Sequence, residues 1–265
     1  VVVHAEHFNE NQTDTQNILW NNFYEYQFDR ANHINFFITA TLSQKKLLAY
    51  HFGKYTTHKP KIIDIPVGNL KKLRQPLEGR KEHTLITASR LANEKHVDWL
   101  VKAVIRAKKA IPNLTFDIYG KGGEQNNIEQ IIKDNAAQEY IQLKGHTKLD
   151  TVYQKYSAYI SASTSEGFGL SLMEAVGSGL PMIGFDVRYG NQTFIQNEKN
   201  GYLIPFNCNE NIEEHIENLS QKIIALFAKE QLVNFENYSY KIAENYLVDE
   251  VQQKWQKLIN EVLND

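Results

Sequence analysis

The chain has 265 residues, 42% of them hydrophobic, and a formal net charge of −2 with both signs mixed along its length. That size suits one large domain or two modest ones. The charge balance excludes the broad basic footprint of a nucleic-acid binder, though not a small anionic ligand, which needs only one or two local cations.

A single cysteine, Cys208, excludes an intrachain disulfide framework and fits a reducing, cytoplasmic setting. No apolar run reaches the ~18–20 residues of a membrane helix, and the first residues do not read as a charged-then-apolar signal. Residue 1 is valine, and VVVHA reads as a buried strand already under way, so we expect an upstream region. A helical pattern covers Ile18 to Phe28. FFITA (36–40) is a predicted strand, 42–52 a helix and KIIDIPV (61–67) a third strand. GNLKKLRQPLEGRKEH (68–83) is polar and basic, carries Gly and Pro, and reads as a linker.

Beyond the linker the alternation resumes. TLITAS (84–89) is a strand, and Val97, Leu100, Val101, Val104 and Ala107 recur at helical spacing. LTFDIYG (114–120) is a strand ending in glycine, Ile128, Ile131 and Ile132 mark a helix, and YIQLKG (140–145) is a strand. A short helix is predicted over 148–156, then strands AYISAS (158–163), PMIGFD (181–186) and GYLIPF (201–206), with helix from about 210 onwards. There is no fixed-period repeat or low-complexity tract. Short apolar strands alternating with helices predict an α/β fold of parallel sheets covered on both faces, and the linker predicts two such sheets.

In open α/β sheets ligands bind at the carboxyl ends of the strands. Three polar clusters fall there: SRLANEK (89–95), GKGGE (120–124) and SEGFG (165–169). A helix starting near Phe168 or Gly169 offers N–H groups without intrahelical partners and a dipole that favours an anion. The glycines let a ligand approach the backbone. With Arg90 and Lys95 from a neighbouring strand end, this suits a phosphate or diphosphate. Each charge-assisted hydrogen bond there contributes roughly 1.5–3 kcal/mol. Glu166 and Glu174, at different levels of one site, suit recognition of a sugar and of a ribose diol.

Plainer readings stand beside these. EGFG alone is an ordinary helix entry, and Arg90 with Lys95 an ordinary solvated pair. GKGG lacks the spacing and the Lys-Ser/Thr ending of a phosphate loop and reads as a strand-to-helix turn. His4 and His7 in HAEH stand too close for the HExxH zinc pattern. Cys208 in a polar loop reads as incidental.

Taken in order, these segments resemble the retaining GT-B glycosyltransferases, a family that includes glycogen synthases and many bacterial sugar transferases. SRLANEK resembles their Arg/Lys pair, and EGFGLSLME (166–174) their E-x7-E motif. GSGLPMIGFD resembles the strand that follows, and GNQTFIQNEKNGYLIPF the segment closing the donor pocket. IPVG (65–68) is similar to the inter-domain hinge, with Val67 where asparagine is common, and VVVHAEHF to the strand end that supplies a histidine. HAEHFNE, LWNNFYEYQF, FGKYTTHKPKI, SRLANEKHVDWLVKAV and GFDVRYGNQTFI further resemble the A subunits of transferases that place N-acetylglucosamine on serine-rich-repeat adhesins in Gram-positive accessory secretion. Wall teichoic acid α-glycosyltransferases carry similar motifs.

The resemblance implies a GT-B fold of two Rossmann-like domains, the first truncated. Residues 1–75 would be the C-terminal part of the acceptor-side domain, 76–248 the donor-binding domain, and 249–265 a helix packing back towards the first. It implies that Arg90 and Lys95 stabilise the diphosphate leaving group, Glu166 holds the transferred sugar, and His4 (rather than His7) approaches that sugar. Glu174 would bind the ribose. The backbone of Gly167, Phe168, Gly169, Leu170 and Ser171 would contact sugar and phosphate. The base would rest near Gly120, Gly122 and His146, with no metal or cofactor beyond the UDP-sugar.

The implied reaction is transfer of GlcNAc from UDP-GlcNAc to Ser/Thr of an adhesin with retained stereochemistry, by a chain that alone binds nucleotide with little transfer. Alternatives are a teichoic acid transferase and a non-catalytic GT-B partner subunit; the intact Arg90, Lys95, Glu166 and Glu174 argue against the latter. A dinucleotide oxidoreductase fits poorly, because GKGGE lacks the GxGxxG spacing. Implied partners are the nucleotide-sugar, a Ser/Thr-rich protein acceptor and a second glycosyltransferase subunit, with no nucleic acid. Peripheral membrane association is expected for the full-length protein.

Overall fold

The structure, a computed structural model, describes residues 2–4, 26–55, 60–76, 79–228 and 232–264. Most of the helix expected at 18–28, and His7, lie outside these residues.

Two parallel sheets organise the chain. The smaller has three strands in the order β1 (Val2–His4), β2 (Phe36–Thr39), β3 (Lys61–Asp64), with helix α1 (Leu42–Tyr55) between the last two. Phe36, Phe37 and Ile38 are all buried, as a strand covered on both faces requires. Successive side chains point to opposite faces. Phe37 therefore packs with Phe28, Ala31 and Leu48 of α1. Phe36 and Ile38 pack with Ile65 and with Val251 and Leu258 of the last helix, α8 (Val248–Asn264).

The larger sheet has six strands: β4 (Thr84–Ala88), β5 (Thr115–Tyr119), β6 (Ile141–Gly145), β7 (Ala158–Ile160), β8 (Met182–Phe185) and β9 (Gly201–Ile204). Their order is β6-β5-β4-β7-β8-β9, and every pairing is parallel. The accompanying helices are α2 (Val97–Ala107), α3 (Gln125–Asp134), α4 (Leu170–Gly177), the short α5 (Gly190–Phe194), α6 (Ile212–Ala228) and α7 (Leu232–Glu244). Leu85 and Phe116 face a core with α2, α3 and α6. Ile86 and Tyr159 face the opposite core, with Leu172 and Val176 of α4 and Ala243 of α7. Strand order reverses between β4 and β7. The loops leaving these two neighbours diverge and open a crevice at their carboxyl ends.

Two segments depart from expectation. Over 148–156 only a single 3₁₀ turn forms, Tyr153–Lys155, because this stretch is drawn over the crevice with Tyr153 fully buried. The described residues of the 68–83 linker make no helix or long strand, yet they are firmly anchored. The Leu70 N–H donates to the Tyr246 carbonyl (2.7 Å), and the Val248 N–H donates back to Leu70 (3.0 Å). Arg80, with a side chain 7% exposed, pairs with Glu236 at 2.9 Å and donates to the carbonyls of Gln154, Tyr156 and Ser178.

Arg80→Met would strand Glu236 and the carbonyls of Gln154 and Tyr156, while Ser178 keeps the Tyr240 hydroxyl at 3.2 Å. Breaking such a pair costs about 3 kcal/mol, the lower end for buried pairs because Glu236 is partly solvated. Thermal unfolding should show a clearly lower Tm.

Candidate active site

The three expected clusters meet at the crevice. Its cavity, of about 1060 Å³, is lined by Arg90 and Lys95 after β4, Gly120 after β5, His146 after β6, and Glu166 through Ser171 with Glu174 after β7. Ala40, Gln44 and Val67 line it from the smaller sheet.

At its centre Lys95 Nζ lies 2.7 Å from Glu166 Oε2, with side chains only 9% and 17% exposed. The Ser165 carbonyl is 3.4 Å from the same nitrogen. An ammonium has three N–H donors, so one is left for a ligand. The Glu166 N–H donates to the Arg188 carbonyl (3.0 Å), and its own carbonyl accepts from the Gly190 N–H (2.9 Å). The Thr164 N–H binds the Glu94 carbonyl at 3.1 Å, joining the two loops. Carboxylate and ammonium are therefore held by backbone before any ligand arrives.

Arg90 differs from Lys95. Its side chain is 72% exposed and pairs with Glu94 at 2.8 Å. That leaves most of a five-donor guanidinium at the rim. Helix α4 begins at Leu170 behind Gly169, whose φ of +85° is left-handed. Glycine adopts this conformation readily, and the start of α4, from Gly169 to Ser171, lines the cavity. The Tyr159 hydroxyl donates to Ser171 Oγ at 3.1 Å, which fixes the Ser171 side chain at the cavity wall. Burial pushes the Tyr159 phenol up to about 12, which keeps it protonated.

Glu174 lies deeper. Burial raises its pKa, opposed by a hydrogen bond from the Tyr153 hydroxyl (3.2 Å) and by the Arg74 charge. Arg74 in turn pairs with Asp150 at 2.7 Å. Tyr153, Asp150 and Gln44 line the cavity and were not singled out from sequence. Tyr153 and Asp150 lie inside the helix expected over 148–156, and Gln44 belongs to no motif that marks a ligand site.

Gly120 borders the cavity, but its smallness serves the chain itself. A Cβ there would come 1.8 Å from the Ser89 carbonyl oxygen, and one at Gly122 would come 2.2 Å from that of Leu91. These glycines let the β4 and β5 loops run side by side, the strand-to-helix turn of the plainer reading. His146 is exposed on the rim. His4 closes β1 opposite Thr39, one residue before Ala40 of the cavity wall; its side chain is outside the described residues. Among the described residues no group of three or more His, Cys, Asp or Glu could hold a metal ion. No described helix is long and apolar enough to cross a membrane.

The family Glycosyl transferases group 1 matches residues 70–241, well over half of the chain, and the chain belongs to that family. The UDP-N-acetylglucosamine–peptide N-acetylglucosaminyltransferase GtfA subunit of Streptococcus pneumoniae is 54% identical over 266 residues, covering 100% of this chain and 53% of that protein. The crystal structure of the pneumococcal O-GlcNAc transferase GtfA in complex with UDP and GlcNAc superposes with a TM-score of 0.90 at 53% identity, over 99% of this chain and 52% of that one. The GtfA/B complex superposes with a TM-score of 0.93 at 53% identity and the same coverage. The poly(ribitol-phosphate) alpha-N-acetylglucosaminyltransferase of Staphylococcus aureus is 29% identical over 98% of this chain and 50% of that protein. The chain spans about half the length of the curated relatives it matches. The parallel α/β architecture and the GT-B resemblance read from sequence are both borne out.

Glu174 yields a prediction of opposite signs. A carboxyl whose folded pKa is raised above the usual 4.5 favours folding below that pH, and the benefit is lost as pH rises through the folded value. At pH 7 Glu174→Gln should therefore melt higher than the parent chain, with the gap closing below pH 4.5. Loss of a charged acceptor should weaken nucleotide binding by about 10–100-fold. Scanning calorimetry and titration of both chains check the two signs.

Proposed function

We propose that the cavity binds UDP-GlcNAc and that this chain supplies the donor site of a retaining transferase that places GlcNAc on Ser/Thr of a protein acceptor. The observation that carries this reading is the buried Lys95–Glu166 pair beside the start of α4, at the point where strand order reverses. A site of this kind offers cation and backbone donors to a diphosphate and a carboxylate to sugar hydroxyls within one cleft. Residues 1–75 would form the acceptor-side wall, 76–248 the donor domain and 249–265 the returning helix. The pneumococcal relative is named for UDP-GlcNAc and peptide at 54% identity. Poly(ribitol-phosphate) is the named acceptor of a relative at only 29%, so a peptide acceptor is favoured over a polyol phosphate. By the same support, a second glycosyltransferase subunit is the expected partner of the longer protein.

In the proposed reaction the acceptor hydroxyl oxygen bonds to the anomeric carbon while that carbon's bond to the β-phosphate oxygen breaks. The hydroxyl proton passes to a phosphate oxygen of the departing UDP. Lys95, Arg90 and the α4 amides meet the charge that develops on UDP. Glu166 holds the sugar, Glu174 the ribose diol, and His4 approaches from the end of β1. Catalysis is then mainly positioning and electrostatic stabilisation.

Titration calorimetry with UDP, GDP and NAD tests the site. UDP should bind in preference to the others, and Arg90→Ala should bind it about 10–100-fold more weakly, the equivalent of one charge-assisted contact. Preferential binding of NAD would overturn the reading.

A further inference from the structure

One residue of the smaller sheet's wall, lining the cavity, has amide donors that meet no acceptor among the described residues. Thr41 caps α1. Its Oγ1 accepts from the Gln44 N–H at 3.1 Å, and Gln44 Oε1 accepts in return from the Thr41 N–H at 3.1 Å. This is a capping box. The same Oε1 also accepts from the Ala40 N–H at 2.9 Å. Two backbone donors can be met only by the carbonyl end of an amide, so they fix its orientation. The amino end is turned out of the box. Gln44 is 4% exposed, its Nε2 is buried without an acceptor among the described residues, and the residue lines the cavity.

The cap alone does not account for glutamine. Glutamate serves a capping box equally well and adds a favourable charge near a helix N-terminus. Glutamine differs in having N–H groups to give and no negative charge to set against an anionic ligand. The diphosphate already has cations and α4 amides on the other wall. A neutral donor opposite them matches a neutral oxygen on the part of the ligand lying between the two sheets.

We infer that Gln44 is a ligand-contacting residue: its Nε2 donates a hydrogen bond to an oxygen of the transferred sugar, a ring hydroxyl or an N-acetyl carbonyl. The inference rests on the donor-site reading above. It gives the smaller sheet a direct part in distinguishing UDP-sugar from UDP, because only the sugar reaches this wall.

The test titrates UDP and UDP-GlcNAc into the parent chain, Gln44→Glu and Gln44→Met. Gln44→Glu keeps the capping box and loses the donor; Gln44→Met loses both and stays neutral. Melting curves confirm that each is folded, and Gln44→Glu carries the test if the other is not. Both variants should bind UDP-GlcNAc roughly tenfold more weakly while holding UDP within about twofold. A Gln44→Glu chain that binds UDP-GlcNAc like the parent overturns the inference and leaves Gln44 a cap. Equal losses for both ligands overturn the sugar assignment. Failure of the parent to bind UDP sinks the donor-site reading itself, whereas unaltered UDP-GlcNAc binding by the variants removes only the role of Gln44.

Discussion

The desolvated contact between Lys95 and Glu166 is the constraint around which the rest is arranged. Two ions withdrawn from water repay their desolvation only where geometry is tight and the remaining donors and acceptors are met. Here the nitrogen and oxygen stand 2.7 Å apart. Meeting that requirement fixes the chain around it. The Glu94 carbonyl holds Thr164, the 188–190 backbone holds both peptide groups of Glu166, and glycines at 120 and 122 let a third loop lie against 89–91. The ends of β4, β5, β7 and β8 are thereby joined by backbone, and the walls of the cleft follow from how two charges are kept apart from water.

The second wall is tied on from behind. Helix α8 lies on the smaller sheet through Val251 and Leu258, while the turn before it pairs with Leu70. Asp64 at the end of β3 joins α1 to α8, 3.0 Å from Lys45 and 3.4 Å from Lys254. Burial alone would raise the Asp64 pKa, but the two ammonium groups outweigh it and hold the pKa below 3.8. The clamp is therefore present above that pH and lost as pH falls through the lowered folded value. Both lysines are over a third exposed, so its worth is modest beside the apolar packing. Across the front, contact is lighter: Ser43 Oγ meets Gln192 Oε1 at 3.1 Å, and Gly68 lies against the movable end of the exposed Leu170 side chain.

Much of this was legible in the chain. Strands buried on both faces must read as apolar runs, so FFITA, TLITAS and PMIGFD disclosed themselves. A rim built from strand ends follows from parallel topology, so SRLANEK, GKGGE and SEGFG belong together on sequence alone. What stayed hidden depends on contacts distant in sequence. Arg80 looks like one more linker cation until Glu236 and three carbonyls surround it. The pattern at 148–156 suits a helix, but a fully buried Tyr153 beneath Glu174 draws it into a single turn. Gln44 carries the short-range signature of a capping box, and its second use appears only when a cavity opens beside it. Gly120 borders the cavity and has in addition a packing role against the Ser89 carbonyl that the sequence did not disclose.

The cleft concentrates groups that do not favour the folded state. Glu174 is a carboxylate pressed towards neutrality by burial, and the Gln44 amide has donors without acceptors among the described residues. Lys95 with Glu166 is an ion pair that apolar side chains could replace with little loss. Such costs persist only where the surrounding structure over-determines them. Two apolar cores flank the larger sheet, one on α2, α3 and α6 and the other on α4 and α7. The Arg80 cluster closes the linker over the second. Stability is therefore built at the back of the sheet and along the linker, away from the strand ends. A polar ligand that satisfies Glu174, Lys95 and Gln44 together relieves the unfavourable groups in one event. Such a ligand would touch both walls, because Gln44 stands on one and Lys95 and Glu174 on the other.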